Sequence, residues 1–295
     1  MKYIPYFHIL CSFLFSNFDY DNIFNIKSSP RNISIGGIHS TSNDISSIFD
    51  SPISIIGTND FFISINKYNS MMNVYHFSYS IRENSKMNFS IGLVRREIDD
   101  NFNTLNADMN NGYPNLSDID YNQITSFNDK QTGLLFSYNT KVLYNAILGI
   151  NIKPEFHKIF NVSAVGFRMD VRYLILYKNH NIIFAMDDLF AYKKWDTGLV
   201  EKYNINSYLS ASIRVSEFNS LFFEYNLEDK FKFGTEIKII DEIFLRFGLD
   251  DSNFTFGFGF NLKNINIEYA YVDNKYNIFG NNHIIGFTLD LNKFY

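Results

Sequence analysis

The sequence predicts an all-β protein: a transmembrane antiparallel β-barrel of about 14 strands, with an N-terminal segment folded into the lumen as a plug. Three observations lead to this prediction. Large apolar residues alternate with small or polar ones through most of the chain. Most alternating runs span about nine to twelve residues, the length that a tilted strand needs to cross a bilayer. No window contains the roughly 18 consecutive apolar residues that a membrane helix needs.

The predicted strands begin at residue 59 and continue almost to the end of the chain. The run at 162–177 shows the pattern most clearly, because Val165, Phe167 and Met169 share one face while Arg168 and Asp170 share the other. A period of two residues indicates a strand whose two faces meet different surroundings. The predicted runs are 59–68, 71–82, 87–98, 131–140, 141–153, 162–177, 180–192, 204–215, 218–227, 230–240, 242–250, 253–262, 264–273 and 282–293.

A soluble β-sandwich is the alternative, since its strands also alternate, with the apolar face turned inward. The length of the runs, a polar face rich in Gly, Asn, Ser and Thr, and signs of export favour the membrane barrel. A closed barrel also removes the unpaired edges that aromatic strands would expose. We therefore expect the phenylalanines between 254 and 260 to face lipid, and Thr255, Gly257 and Gly259 to face the lumen.

The connections between runs predict which end of the barrel faces outward. The long connections follow odd-numbered runs, whereas the connections after even-numbered runs are short. Outer-membrane barrels have long external loops and short periplasmic turns. With both termini in the periplasm, the external connections are predicted at 99–130, 154–161, 193–203 and 274–281.

The first residues predict export. Residues 1–19 contain an apolar run after an early lysine, which is typical of a secretory signal peptide. A buried N-terminal strand or helix is the alternative, and a lipoprotein would use Cys11. Because Cys11 is the only cysteine, the chain can form no internal disulfide and no zinc site of the cysteine type.

Residues 20–58 do not follow the strand rhythm. They are rich in Ser, Gly, Asn and Asp, with one short β-like piece at 32–39, and they precede an already even set of strands. We interpret them as a plug segment in the lumen, and we assign residues 59–295 to the barrel itself.

Composition and motifs exclude several functions. The net charge is −5 and no basic block is present, so nucleic acid is not an expected partner. The polar stretch at 106–117 departs from an EF-hand loop at the glycine and glutamate positions. No nucleophile-elbow, zinc-protease or phosphate-loop motif occurs. We therefore expect no cofactor, no metal and no enzymatic activity, although a serine and a histidine that meet only in space would leave no motif in the sequence.

The N-terminal segment carries a family likeness. RNISIGGIHSTSNDISSIFDSP resembles the N-terminal motif of the PorV/PorQ group of FadL-like outer-membrane barrels, where a glycine-rich stretch leads into an acidic turn and an Asn-Pro-Ala tripeptide. Asp-Ser-Pro replaces that tripeptide here. The positions of this plug motif are Gly36, Gly37, Asn43, Asp44 and Pro52.

The C-terminal half resembles the same group more closely. FRMDVRYLILY is similar to its Asp-Leu-Gly-hydrophobic-Tyr strand, with Arg172 where glycine is usual. FKFGTEIKIIDEIFLRFGLDDSNFTFGFGFNLKNINIEYAYV is similar to its successive Gly-x-Glu, Leu-Arg-x-Gly, Gly-x-Gly and Asp-Tyr-Ala-Tyr segments, with Glu268 in place of the aspartate. The resemblance covers residues 31–52 and 162–293, and it implies a fourteen-stranded barrel with an N-terminal plug.

The resemblance also implies a function in the bacterial outer membrane. The first expectation is an accessory to protein export and surface delivery, as in type IX secretion, with secretion-system components or secreted cargo as partners. The alternative is a FadL-like transporter of small hydrophobic molecules, and a purely structural barrel is a third possibility. Outer-membrane lipid and the barrel-assembly machinery are expected partners in each case.

Two sets of residues are candidates for a role. The expected lumen-facing charges carry both signs, so they can pair across strands and anchor the plug, or alternatively line a substrate path. These charges are Arg168, Asp170, Arg172, Glu224, Glu236, Lys238, Arg246 and Glu268. The end of the chain resembles the signal read by the barrel-assembly machinery, through Ile285, Phe287, Leu289, Leu291 and Tyr295.

Overall fold

The structure of the protein is a computed structural model. The structure describes residues 22–39, 45–51, 59–68, 72–82, 86–103, 121–227, 230–251, 253–273 and 281–291. The predicted signal peptide at 1–19, and with it Cys11, lies outside these described residues.

The described residues form fifteen strands, fourteen of them long. Their positions follow the alternating runs of the sequence. The strands are β1 Asp60–Tyr68, β2 Met72–Arg82, β3 Met87–Asn103, β4 Thr125–Leu143, β5 Ala146–Ile159, β6 Val162–Tyr177, β7 His180–Trp195, β8 Val200–Lys202, β9 Asn206–Arg214, β10 Asn219–Asn226, β11 Lys230–Ile240, β12 Ile243–Asp250, β13 Asn253–Leu262, β14 Ile265–Val272 and β15 Asn282–Asp290.

The long strands close into a ring. Each pairs antiparallel with its neighbours in chain order, and β1 pairs with β15 from Asp60 opposite Asp290 to Lys67 opposite His283. The short strand β8 pairs only with β7, next to the place where β7 pairs with β9. The predicted fold, an antiparallel barrel of fourteen strands, is confirmed.

The two faces of the ring differ as the alternation predicts. On β13, Phe254 is 45% exposed and Phe260 is 37% exposed, while Thr255 between them is 2% exposed. The same contrast recurs on β1, where Ile63 and Ile65 are exposed and Ser64 is buried. The outward face is therefore an apolar belt suited to lipid, and the inward face is largely polar. Within the described part of the chain, no helix is long and apolar enough to span a membrane.

Three of the four predicted external connections are shorter than expected, because strands occupy part of them. Strand β3 continues to Asn103 and β4 begins at Thr125, while β5 runs to Ile159 and β7 to Trp195. Beyond the lipid, backbone hydrogen bonds alone can extend a hairpin, so its outward face no longer needs apolar residues and the alternation fades. We call the end of the barrel that carries these predicted external connections the loop end. The opposite end, which carries the short connections, is the turn end.

The barrel wall is irregular in the middle of β7. The register between β6 and β7 shifts there, so residues 187–189 lie opposite Asp170. Asp188 adopts φ +57°, a conformation that is uncommon outside glycine. On its other edge, β7 pairs with β9 only as far as Asp187, and with β8 again from Tyr192. This bulge interrupts the hydrogen-bond ladder between β7 and the next strand.

The N-terminal segment contains helix α1, Pro30–Ser34, and two 3-10 turns, Ile23–Asn25 and Ile45–Ser47. The prediction of a β-like piece at 32–39 is therefore wrong, because residues 32–34 belong to helix α1. Ser29 caps this helix by accepting a hydrogen bond from the Asn32 amide at 3.3 Å, and proline occupies the first helical position. The role of residues 20–58 as a plug stays a prediction, since 20–21, 40–44 and 52–58 lie outside the described residues.

Candidate functional site: the barrel lumen

The described part of the N-terminal segment lies against inward-facing glycines of β11, β12 and β13. A β-carbon added to Gly234 would lie 2.7 Å from Cβ of Ile35. One added to Gly257 would lie 2.9 Å from Oγ of Ser34. One added to Gly248 would meet the backbone of the same stretch. We call Gly234, Gly248 and Gly257 the glycine seat, because only a residue without a side chain lets the segment approach this closely.

The glycine pair of the plug motif fits this seat. Gly36 has φ +89° and Gly37 has φ +65°, backbone conformations that favour glycine. The Gly36 amide donates to Oγ1 of Thr255 at 3.0 Å, and the Gly37 carbonyl accepts from Nζ of Lys232 at 3.3 Å. Asn43, Asp44 and Pro52 of the same motif lie outside the described residues.

An apolar cluster fills the opposite side of the lumen. The ring of Phe24 stands over Gly133, where an added β-carbon would lie 2.5 Å from Cζ. The ring of Phe49 stands over Gly92 in the same way, at 2.6 Å. We call these positions the two ring sockets. The cluster joins the N-terminal segment to β1–β4 and contains Ile23, Phe24, Ile45, Ile48, Phe49, Phe62, Val74, Val94 and Leu135.

A first group of charges ties helix α1 to the wall. Arg31 donates to Glu236 through Nε at 2.9 Å and through Nη2 at 3.0 Å. Arg246 contacts the same carboxylate at 2.7 Å and Glu268 at 3.0 Å. Charge-assisted hydrogen bonds of this kind are stronger than those between neutral groups. Glu236 therefore holds the segment and the wall together.

A second group surrounds His39 at the end of the described segment. Glu224 accepts hydrogen bonds from the His39 amide at 2.9 Å and from its Nδ1 at 2.7 Å, and contacts Lys232 at 3.3 Å. Burial lowers the pKa of His39 to about 4, so the ring is neutral at neutral pH. Nε2 of the neutral ring can then accept from Nζ of Lys27, 2.8 Å away, because an ammonium group only donates.

A third group covers the inner wall around the bulge of β7. Arg172 binds Asp187 at 2.6 Å, and Arg168 binds Asp188 at 3.2 Å and Glu155 at 3.4 Å. The fourth carboxylate of the group is Asp170, which pairs with Lys153 and accepts a hydrogen bond from the Asp188 amide at 3.1 Å. The N-terminal segment joins this group through Asn22, whose side-chain amide donates to Asp188 at 3.1 Å.

The structure brings seven of the eight expected charges into these three groups. Lys238 lies on the same strand face as Glu236, but near the turn end, where it pairs with the exposed Asp241. Sequence reasoning missed Lys153 and Glu155, although the alternation of β5 places both on the inward face. Other inward ionisable residues that were missed include Arg96, Asp129, His157, Asp187, Asp188, Lys193 and Lys232.

Where the structure describes the chain, no group of three or more His, Cys, Asp or Glu side chains could hold a metal ion. His76 lies 3.3 Å from the Ser64 hydroxyl, but its other ring nitrogen contacts the Ile26 carbonyl, so the pair joins the wall to the N-terminal segment.

The proposed assembly signal lies on the last strand. Ile285 and Phe287 face outward on β15 and are 45% and 43% exposed, and Leu289 follows on the same face. The strand ends at Asp290, so Leu291 comes after it, and Tyr295 lies outside the described residues. Recognition of these residues by the barrel-assembly machinery stays a prediction.

No protein-family model matches the chain, and no curated protein matches it. Solved structures do share its fold. The toluene transporter TodX of Pseudomonas putida has a TM-score of 0.67 at 10% identity, covering 91% of this chain and 100% of that one. The monoaromatic hydrocarbon channel CymD has a TM-score of 0.64 at 8% identity, covering 90% and 98%. A FadL homologue of Pseudomonas aeruginosa has a TM-score of 0.58 at 9% identity, covering 89% and 98%.

The chain thus has the fold of FadL-like outer-membrane barrels. The likeness and the apolar belt agree with the predicted location in the outer membrane of a Gram-negative bacterium. The resemblance to FadL-like barrels is confirmed at the level of fold. The narrower likeness to the PorV/PorQ group, and with it a role in protein secretion, stays a prediction that these comparisons do not support.

Proposed function

We propose that this protein transports small hydrophobic molecules across the outer membrane, and that its N-terminal segment moves to let them pass. The observation that carries the proposal is the pair of ring sockets in the lumen. Phe24 and Phe49 occupy them with groups the size of a small aromatic molecule. When the segment withdraws, Val94 and Leu135 offer the same apolar contacts to a ligand, because burial of apolar surface is not directional.

The fold comparison supports this class of cargo. TodX is described as a toluene transporter and CymD as a monoaromatic hydrocarbon channel, and both share the fold of this chain over most of their length. The interruption in pairing between β7 and β9 supports an exit of the transported molecule through the barrel wall. Fewer hydrogen bonds must break there for the two strands to separate. A molecule can enter at the loop end and leave through this wall or past the segment.

A reversible cross-link between the segment and the seat tests the proposal. Oγ1 of Thr255 donates to the Ser34 carbonyl at 3.0 Å, so cysteines at positions 34 and 255 lie close together. Cys11 is the only native cysteine, which keeps the chemistry specific. We expect the Ser34→Cys/Thr255→Cys variant to lose uptake of radiolabelled toluene or of a fatty acid when oxidised, and to regain it on reduction.

The single variants Ser34→Cys and Thr255→Cys are the matched controls, because between them they carry both local changes without the cross-link. Their uptake should not respond to oxidation. Uptake at the wild-type rate through a fully cross-linked barrel would contradict the movement of the segment. Uptake by cells with the gene deleted that equals that of wild-type cells, for every apolar compound tested, would contradict transport itself.

A further inference from the structure

The outward face of the loop end carries lysines that the transport proposal does not use. They lie on β4, β5 and β7 and on the short strand β8, and their sequence neighbours Gln131, His157 and Lys193 are buried in the lumen. Lys158, Lys194 and Lys202 are exposed, and Lys130 is half-buried. We call them the basic patch: Lys130, Lys158, Lys194 and Lys202.

The patch differs from the lumen in how its charges are paired. Inside the barrel, cations contact carboxylates, as Arg172 does with Asp187 at 2.6 Å. In the parts of the chain that the structure describes, no carboxylate lies within ion-pair distance of any of the four patch lysines. Glu97 is opposite Lys130 in the ladder, but it pairs with Arg95 at 2.6 Å. The protein thus leaves four lysines on this face without an ion-pair partner among the described residues, because the nearby carboxylates Glu97 and Asp196 are held by Arg95 and Ser163.

Two of the lysines repel each other directly. Lys130 on β4 and Lys158 on β5 are partners in the register, and both point outward. Like charges directly opposite in an antiparallel pair destabilise the sheet. An anion between them would offset this cost, so the pair is suited to an anionic ligand.

The surface beside the lysines is apolar. Phe156 is 53% exposed and lies two residues before Lys158 on the same strand face, and Val165 opposite it is 52% exposed. Tyr192 is 48% exposed and lies two residues before Lys194. The apolar belt therefore runs directly into the basic patch, which suits a ligand with hydrocarbon chains and an anionic head group.

We propose that the basic patch binds the phosphate groups of a phosphorylated glycolipid in the outer leaflet, whose acyl chains lie on Phe156, Val165 and Tyr192. Lysines bind phosphate as compact point charges, and they attract anionic lipid strongly beside a membrane surface. An acidic soluble protein would match the charge but would leave the continuous apolar surface without a partner. The lipid satisfies both parts of the site.

The test compares two glycolipids that differ only in phosphate. The full-length protein in neutral detergent is titrated with bisphosphorylated lipid A and with the dephosphorylated form that carries the same acyl chains, and bound lipid is counted by native mass spectrometry. The wild type should bind the phosphorylated form more tightly. In the variant K130Q/K158Q/K194Q/K202Q, the affinity should fall by about tenfold or more, to the level of the dephosphorylated lipid.

The double variant K67Q/K141Q is the control, because it removes two exposed lysines outside the patch. It should bind as the wild type does. Equal binding of both glycolipids to the wild type, a comparison that needs no variant, would overturn the proposal, as would unchanged affinity in the quadruple variant. Tighter binding of a soluble poly-glutamate peptide than of lipid A would overturn it in favour of an acidic protein.

Discussion

At the scale of single residues, the lumen is organised by carboxylates that each serve more than one cation. Glu236 is the clearest case, because it contacts Arg31 of the N-terminal segment at 2.9 Å and Arg246 of β12 at 2.7 Å. Buried charges are costly unless they are paired. Loss of this carboxylate would remove one partner from each of two guanidinium groups in a largely buried space, although Arg246 would keep Glu268.

We therefore predict that Glu236→Ala destabilises the protein by about 3–5 kcal/mol. The measurement is equilibrium unfolding by denaturant in detergent micelles. Lys238→Ala is the matched control, since Lys238 shares the strand and the face but pairs with the exposed Asp241. We expect the control to change the free energy of unfolding by about 1 kcal/mol or less. Equal losses in both variants would contradict the anchoring role of Glu236.

The same scale shows what alternation can and cannot predict about a site. It predicted that Arg168, Asp170 and Arg172 face inward, because side chains on a strand alternate. It could not predict their partners, because Asp187 and Asp188 are consecutive residues and no strand of period two places both on one face. The bulge that brings both to Arg168 and Arg172 is visible only in three dimensions.

At the scale of elements, the fit of the N-terminal segment to the glycine seat is tight enough to test with one methyl group. In Gly234→Ala, the new β-carbon would meet Ile35 of the segment, and such overpacking costs about 1–3 kcal/mol. We expect the segment to leave the seat while the barrel remains folded. Protease cleavage within residues 22–39 should become faster, and the heat-dependent gel mobility of the barrel should stay the same.

Gly259→Ala is the control on the same sheet. Its β-carbon would lie 3.0 Å from Nη1 of Arg246, at the far end of a wall side chain, and its nearest contacts do not include the segment. Cleavage of the segment should then match the wild type. If both variants, or neither, expose the segment, the seat is not what holds it.

The outward face of β13 supplies a second element-scale prediction. Phe258 lies near the middle of this strand, so Phe258→Arg should cost about 2–4 kcal/mol if the row meets lipid near the midplane. Phe254→Arg, close to the loop end, should cost about 0–1 kcal/mol. The free energies are measured by reversible folding into lipid vesicles. An unchanged folding equilibrium in Phe258→Arg would count against the assigned orientation of the strand.

Strand positions were predictable from sequence to the extent that the bilayer dictates them. Within the belt, each strand must present apolar residues to lipid, so the run at 253–262 was predicted with the bounds that β13 has. Outside the belt this requirement ends, and the extensions of β3 to Asn103 and of β4 from Thr125 were missed. Helix α1 was missed although its Ser-Pro start signal is present, since five residues are too few to show a helical period.

At the scale of the whole molecule, the closed ring followed from the number and rhythm of the strands, and a plug segment was predicted as well, but the contacts inside the lumen were not. Gly36 and Thr255 are 219 residues apart in sequence, and no local pattern records that they meet. The alternation placed glycines on the inward face, but it could not show that Gly234, Gly248 and Gly257 admit another part of the chain.

This long-range contact has a consequence for how the molecule is made. The glycine seat belongs to β11–β13, and the seam of the ring joins β1 to β15. The ring sockets of β3 and β4 come early in the chain, whereas the seat for Gly36 exists only after most of the strands have been added. A stalled assembly intermediate that lacks the final strands can hold Phe24 and Phe49, but it has neither a finished wall nor a seat for Gly36.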